Sequence, residues 1–470
     1  MLFPTLAFHA FFLIVFALNW ALRRSQDWRQ IMLLVFSWGF YASFDPRLVV
    51  LLLASAFFNW GVGSLIVAQP ARGKGWMIAG VAINLLVLAA FKYYGFFASG
   101  ANALLAGQGV GLPVIDIILP IGVSFFTFQG ISYVVDVWQG RSKPARLLEL
   151  SVLMSFFPHL VAGPIVRPSH LLPQLRERPW ISRGTVATSM VLILWGLFKK
   201  AVIANELALH LVDPVFKTPS AHSALDLVIA AYGYAIQIYC DFSAYTDMAI
   251  GLAGLLGFRF PRNFNQPYRA TSLQDFWRRW HISLSSWLRD YLYIGVLGGS
   301  RQAAWRICLA LFMTMVLGGL WHGASLNFVI WGALHGGVLV IERVWQMIRP
   351  KAWPGVPAWL GWLVTFHVVT VGWIFFRCAQ FDDATAFLGR IATWQGGTWQ
   401  GGTLLASPWT VGMIAIGMLC QFGPPDAIQR IALRLRDLPF WVVGLLGTLA
   451  LLVVEGLRGA GVAPFIYFQF

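Results

Sequence analysis

Residues 310–340 read ALFMTMVLGGLWHGASLNFVIWGALHGGVLV. Two apolar runs meet at a short hinge, and His322 stands at that hinge between Trp321 and Gly323. A bilayer crossing takes about 20 apolar residues at about 1.5 Å rise each. The runs around the hinge, 304–321 and 325–346, are close to that length. Ionisable groups inside a membrane are costly, so an imidazole at the end of such a run needs a partner or a task.

The rest of the chain has the same character. Of 470 residues, 58% are apolar and 11% charged, and the mean hydropathy is +0.69. A soluble domain carries about 25% charge, so this composition marks an integral membrane protein. Lys and Arg outnumber Asp and Glu 34 to 19, a net charge of +15. The excess sits in short loops between apolar runs, where it orients the chain and attracts anionic lipid headgroups. That placement argues against nucleic acid as a partner. The four cysteines, Cys240, Cys308, Cys378 and Cys420, lie far apart in or beside apolar runs and read as buried small hydrophobes. The first run, 2–22, has no basic region before it and no small-residue cleavage site. It reads as a retained helix rather than a signal peptide.

Candidate spans fall at 4–22, 30–44, 48–68, 76–98, 114–138, 147–163, 185–210, 224–257, 304–321, 325–346, 357–376, 406–422 and 438–456. Allowing for broken or re-entrant segments, this predicts about 11 to 13 membrane helices in a single integral-membrane domain, 1–470. Arg23, Arg24 and Arg29, then Arg72 and Lys74, put loops 23–29 and 69–75 in the cytoplasm and the N-terminus outside. The cluster Arg141, Lys143, Arg146 falls on the same side. Pro120, Gly122, Pro158, Gly163 and Pro164 interrupt spans, which is tolerated only beside protein or a water-filled cavity. Loop 391–404, IATWQGGTWQGGTL, reads as a connector at an interface.

One segment differs from its surroundings: NFNQPYRATSLQDFWRRWHISLSSWLRDYLYI, 263–294. Trp277, Trp280, Leu284, Trp287, Leu288 and Tyr291 recur at helical spacing, and Arg278, Arg279, Ser285, Ser286, Arg289 and Asp290 lie largely elsewhere. Asp275 and Arg279 are an i,i+4 pair. This predicts an amphipathic helix in the membrane interface, serving as an anchor or lining the rim of a cavity. His281 reads as a satisfied structural histidine.

Four charges sit at membrane depth: Lys199, Lys200, Asp241 and Asp247. They either pair with one another or with the arginines of the amphipathic helix, or they line a polar tunnel. His322, His335 and His367 also lie in apolar stretches, where burial favours the neutral, proton-accepting imidazole. No HExxH motif suggests a metal site, and no GxSxG motif suggests a serine nucleophile.

LQDFWRRWHISLSSWLRDYLYI (273–294), followed by GGLWHGASLNFVIWGALHG (318–336), resembles the membrane-bound O-acyltransferase family. It is most similar to the alginate O-acetyltransferase branch. MLFPT (1–5), FPHLVAGPIVRP (157–168), YCDFSAYTDMAIGLAGLLGFRFPRNFNQPY (239–268) and GWIFFR (372–377) extend the resemblance over nearly the whole chain. It implies an all-α polytopic bundle around a central tunnel, with the interfacial amphipathic helix at its rim.

The resemblance also implies the chemistry. An acyl donor, acetyl-CoA, enters from the cytoplasm, and a hydroxyl acceptor approaches from the other side of the inner membrane. The WHG histidine maps onto His322. His367 suits the family's second polar residue, and His335 takes a packing role. Trp321 shapes the tunnel. Asp275, Trp277, Arg278, Arg279, Trp280 and Asp241 hold the rim or meet the donor. The resemblance implies an extracytoplasmic acetyltransferase partner that modifies an exopolysaccharide, with no permanently bound cofactor. Two rival readings remain: D-alanyl transfer to teichoic acid from a carrier protein, and a polysaccharide transporter.

Overall fold

The computed structural model describes residues 3, 5–105, 111, 113, 120–161, 163–299, 302–350, 352, 355–394 and 407–457. Every regular element among the described residues is helical. In the first part of the chain these are α1 (Leu6–Ala21), α2 (Gln26–Ala42), α3 (Leu48–Ala68), α4 (Gly73–Leu104), α5 (Val123–Trp138), α6 (Leu147–Ser155), α7 (Pro168–Arg176) and α8 (Arg183–Phe198). There follow α9 (Ala224–Leu255), α10 (Leu273–Arg279), α11 (Ile282–Trp287), α12 (Ala304–His322), α13 (Leu326–Ile348), α14 (Ala358–Arg377), α15 (Phe381–Ala392), α16 (Pro408–Leu419), α17 (Ala427–Arg436) and α18 (Phe440–Leu457).

Among the described residues, seven helical stretches are long and apolar enough to cross a membrane: Leu48–Ala68, Pro70–Leu104, Arg183–Lys217, Ala224–Leu255, Ala304–His322, Leu326–Ile348 and Ala358–Arg377. Three shorter apolar helices accompany them, Ala7–Ala21, Pro408–Leu419 and Trp441–Leu457. The chain is therefore an all-α, multi-pass membrane protein. Most predicted spans match a helix within a few residues. The span predicted at 147–163 is shorter: α6 stops at Ser155 and one turn, Phe157–Leu160, follows, because Pro158 cannot continue the ladder. Residues 114–119 of another predicted span, and 395–404 of the loop 391–404, lie outside the described residues.

The chain forms two compact units, Met1–Ile193 with Met248–Pro261, and Leu194–Asp247 with Arg262–Phe470. In the first, α3, α4 and α5 pack together. Asn59 and Asn84 exchange amide hydrogen bonds of 2.8 and 3.3 Å between α3 and α4, satisfying two polar groups away from water. Gly122, at φ +76°, starts α5 in a left-handed conformation, and a side chain there would overlap the Leu160 carbonyl.

In the second unit α12 and α13 form a hairpin around His322–Ser325. Glycines let the two backbones touch. A Cβ at Gly319 would overlap the Phe328 carbonyl oxygen, and one at Gly332 would overlap that of Met315. Small residues at membrane helix contacts permit such close approach. α14 packs on α13, and Asn327 Nδ2 donates to the Cys378 carbonyl at 2.7 Å, fastening the start of α13 to the end of α14.

The amphipathic segment is two helices rather than the one that periodicity predicts. α10 ends at Arg279, and α11 begins at Ile282 and runs into a π-helical stretch, Leu288–Ile294. The break is at His281, φ +43°. Asn263 holds it there: its carbonyl accepts from Ile282 N at 2.8 Å, and its Oδ1 accepts from Ser283 N at 3.0 Å and from His281 Nδ1 at 3.2 Å. The predicted structural role of His281 agrees with this clamp. Trp280, Leu284, Trp287, Leu288 and Tyr291 are all buried in the protein.

Candidate active site

The last residue of α12 is His322, and the extended backbone of Gly323 (φ −170°) ends the helix immediately after it. The imidazole is buried, 8% exposed, and enclosed by four aromatic rings. Trp321 lies 4.8 Å away, Trp331 of α13 5.2 Å and Phe376 of α14 5.1 Å, all edge-on. Phe328 stands near-parallel at 6.4 Å. Three helices thus deliver rings to one histidine, in an environment that lowers the local dielectric and strengthens any hydrogen bond formed there.

A cavity of about 480 Å³ has Trp277 in its lining, and Trp277 stands edge-on to Trp331 of this cluster. Trp277 and Arg278 of α10 line it, together with Arg289, Thr314, Met315 of α12 and Arg343 of α13. Met315 is two helical turns before His322, about 10 Å along the axis at 1.5 Å per residue. Rings bridge that interval: Trp277 is 5.7 Å from Trp331, which is 5.2 Å from His322. Arg278, Arg289 and Arg343 line it with one carboxylate, Glu342, and Arg289 is paired with Asp290 at 2.7 Å; the lining keeps a net positive charge, a complement to phosphate groups.

α13 organises both the wall and the cavity. Trp331, His335, Leu339 and Glu342 recur at spacings of four, four and three, one helical face. Trp331 faces His322. His335 lies 4.7 Å from Trp331, and its Nδ1 accepts the Trp277 indole N–H at 3.2 Å. Leu339 lines the cavity. The Glu342 carboxylate accepts the backbone N–H groups of Leu273 and, at 3.0 Å, of Gln274. Ser272 Oγ accepts from Asp275 N at 3.1 Å. The first turn of α10 is thereby fully capped, two of its three donors by a residue 68 or 69 positions away, and α10 is fixed on α13 at its start and its middle.

The other predicted residues lie as follows. Asp275 binds Arg279 through both oxygens at 2.9 Å. Trp280 is packed by Trp373 at 4.9 Å and Phe276 at 5.6 Å and does not line the cavity. Asp241 forms an ion pair with Lys200 at 2.7 Å, and Asp247 with Lys199 at 2.7 Å, with Ser243 Oγ also on Lys199 at 2.6 Å. Of the two readings of these charges, mutual pairing is the one the structure bears out; Asp241 is not among the residues lining the cavity.

His367 is not brought to His322. Its ring is exposed on α14, with Nε2 on Tyr232 Oη at 2.9 Å and Nδ1 on the Leu363 carbonyl at 2.7 Å. It lies nine residues, about 13 Å of helix, before Phe376, which touches His322. The second histidine near the centre is His335. Sequence reading missed Trp331, Glu342, Arg343 and Phe376. The spacing of Trp331, His335 and Glu342 along α13 was the available signal.

The fold and site together define a class: a polytopic helical membrane protein with a ring-enclosed histidine behind a basic cavity. Residues 142–381 match the membrane-bound O-acyltransferase family, MBOAT. A probable alginate O-acetylase (AlgI) of Pseudomonas aeruginosa is 40% identical over 378 residues, 79% of this chain and 71% of that protein. One of Pseudomonas putida is 36% identical over 469 residues, 95% of each chain. A peptidoglycan O-acetyltransferase of Helicobacter pylori is 35% identical over 388 residues, 76% of this chain and 73% of that one. The chain belongs to the membrane-bound O-acyltransferase family and is an acyltransferase. The transporter reading falls away.

Proposed function

We propose that this protein carries out the membrane step of exopolysaccharide O-acetylation, with alginate or cellulose as the class of polymer. Acetyl-CoA is the donor, and the chain works in the inner membrane with an extracytoplasmic acetyltransferase as partner. The names of the relatives support an O-acetyl transfer. The basic cavity supports a phosphate-bearing donor, with Arg278, Arg289 and Arg343 facing its phosphates.

The observation that carries the proposal is the enclosure of His322 two turns from that cavity. The imidazole takes the proton of the acceptor hydroxyl as general base. The oxygen attacks the thioester carbonyl, the carbon–sulfur bond breaks, and the proton passes to the departing thiolate. The rings around His322 exclude water, which would otherwise hydrolyse the thioester. His322→Ala should abolish ester-linked acetate on the surface polymer while membrane abundance stays at the wild-type level. Wild-type acetate content in that variant would remove His322 from the mechanism.

A further inference from the structure

We propose that a recess in the first unit binds the phosphate-bearing headgroup of an anionic phospholipid. The recess measures about 640 Å³ and is remote in sequence from every residue of the histidine site. Arg24, Arg146, Arg176 and Arg178 line it, facing only Asp27 and Glu149. Four guanidinium groups against two carboxylates leave two positive charges in excess. Guanidinium is a planar, weakly hydrated fork matched to phosphate oxygens.

The walls are built in advance. The Glu149 side chain is 3% exposed and accepts from Arg176 Nε at 3.0 Å, Arg176 Nη2 at 2.7 Å and Arg146 Nε at 3.3 Å. Arg146 Nη2 reaches on to Asp27 at 2.8 Å. Gln26 Nε2 donates to the Arg176 carbonyl at 2.6 Å, and Arg176 Nη2 to the Pro144 carbonyl at 3.2 Å. The start of α2, the loop before α6 and the end of α7 are therefore tied together, and a ligand would meet an ordered site. Arg24 and Arg178 enter no ion pair among the described residues, so they supply the uncompensated charge.

Two neighbours point to a lipid rather than a free anion. Trp28, next to Asp27, is 64% exposed, and Trp180, two residues after Arg178, is 70% exposed. Exposed tryptophan in a membrane protein marks the headgroup level. The arginine-rich loops 23–29 and 141–146 that form the recess are those the positive-inside rule assigns to the cytoplasm, the face whose leaflet carries anionic lipid.

The test uses the full chain in detergent, with phosphatidylglycerol, phosphatidylcholine and inorganic phosphate as separate probes, read by native mass spectrometry. The wild type should retain phosphatidylglycerol over phosphatidylcholine. Arg24→Gln with Arg178→Gln should cut that retention about 30-fold, since each basic residue near an anionic headgroup contributes about fivefold. Arg23→Gln with Arg72→Gln, the same charge change outside the recess, should leave it unchanged. Equal losses in both double variants would reduce the effect to general surface charge and overturn the site. Displacement of the lipid by millimolar inorganic phosphate, with phosphate retained in its place, would make it a small-anion site and overturn the lipid assignment. Should the first double variant not remain monodisperse, a photoactivatable phosphatidylglycerol on the wild type decides the matter: labelling of peptides from 22–29 and 176–180 supports the site, and labelling only elsewhere overturns it.

Discussion

The Trp277 indole donates its N–H to Nδ1 of His335 at 3.2 Å. Nδ1 therefore holds the lone pair and Nε2 the proton. Nε2 lies against Gly372, where a Cβ would stand 2.8 Å away. This one bond joins the cavity wall to the residue behind Trp331. Trp277→Phe keeps an aromatic side chain, though a smaller one, and leaves a buried acceptor without its donor, which costs about 1–3 kcal/mol. The expected result is a lower unfolding temperature in detergent together with reduced acyl transfer. His335→Ala combined with Trp277→Phe should cost less than the sum of the two singles. Strict additivity would show that the bond contributes nothing.

Glu342 is the long-range cap of α10. Its loss strands the N–H groups of Leu273 and Gln274 at a helix start, where a missing cap costs about 0.5–2 kcal/mol. Glu342→Gln keeps one acceptor oxygen and should fall between wild type and Glu342→Ala. Protease cleavage near 270–275 measures the fraying of α10 directly. Equal protection in all three proteins would make the cap irrelevant.

The close packing of α12 on α13 makes an asymmetric prediction about two glycines on one helix. Gly332→Ala drives a methyl group into the Met315 carbonyl, and overpacking of this kind costs about 1–3 kcal/mol. Gly337 has no atom within 4 Å of where its Cβ would stand, so Gly337→Ala should be neutral or slightly stabilising, by up to about 1 kcal/mol from helix propensity. Membrane abundance and unfolding temperature of the two variants give the comparison.

How much of this was legible follows from which interactions are local. The spans were readable because about 20 apolar residues are a length requirement, not a packing detail. The position of His322 was readable for the same reason, since it ends a run. The break at His281 was not, because Asn263, 18 residues earlier, imposes it. The outward face of His367 was not, because α14 is apolar nearly all round and its pattern favours no side. Glu342 reads locally as a charge near a helix end, and only the tertiary fold shows that it caps a different helix.

The buried ion pairs allow a test with opposite outcomes for single and double substitutions. Lys200 is 2% and Asp241 3% exposed, at 2.7 Å. Asp241→Asn removes one charge and leaves the lysine inside the protein, and breaking such a pair costs about 3–5 kcal/mol. Replacing both, Lys200→Met with Asp241→Leu, removes the desolvation penalty along with the attraction and should recover most of the stability. Asp247→Asn should be milder, because Asp247 is 19% exposed and Ser243 still meets Lys199. The measurement is unfolding temperature with acyl transfer alongside. Stability regained without activity would show that the charges act in the reaction as well as in the fold. Both regained together would make them structural, and a double variant as unstable as Asp241→Asn would contradict the pairing itself.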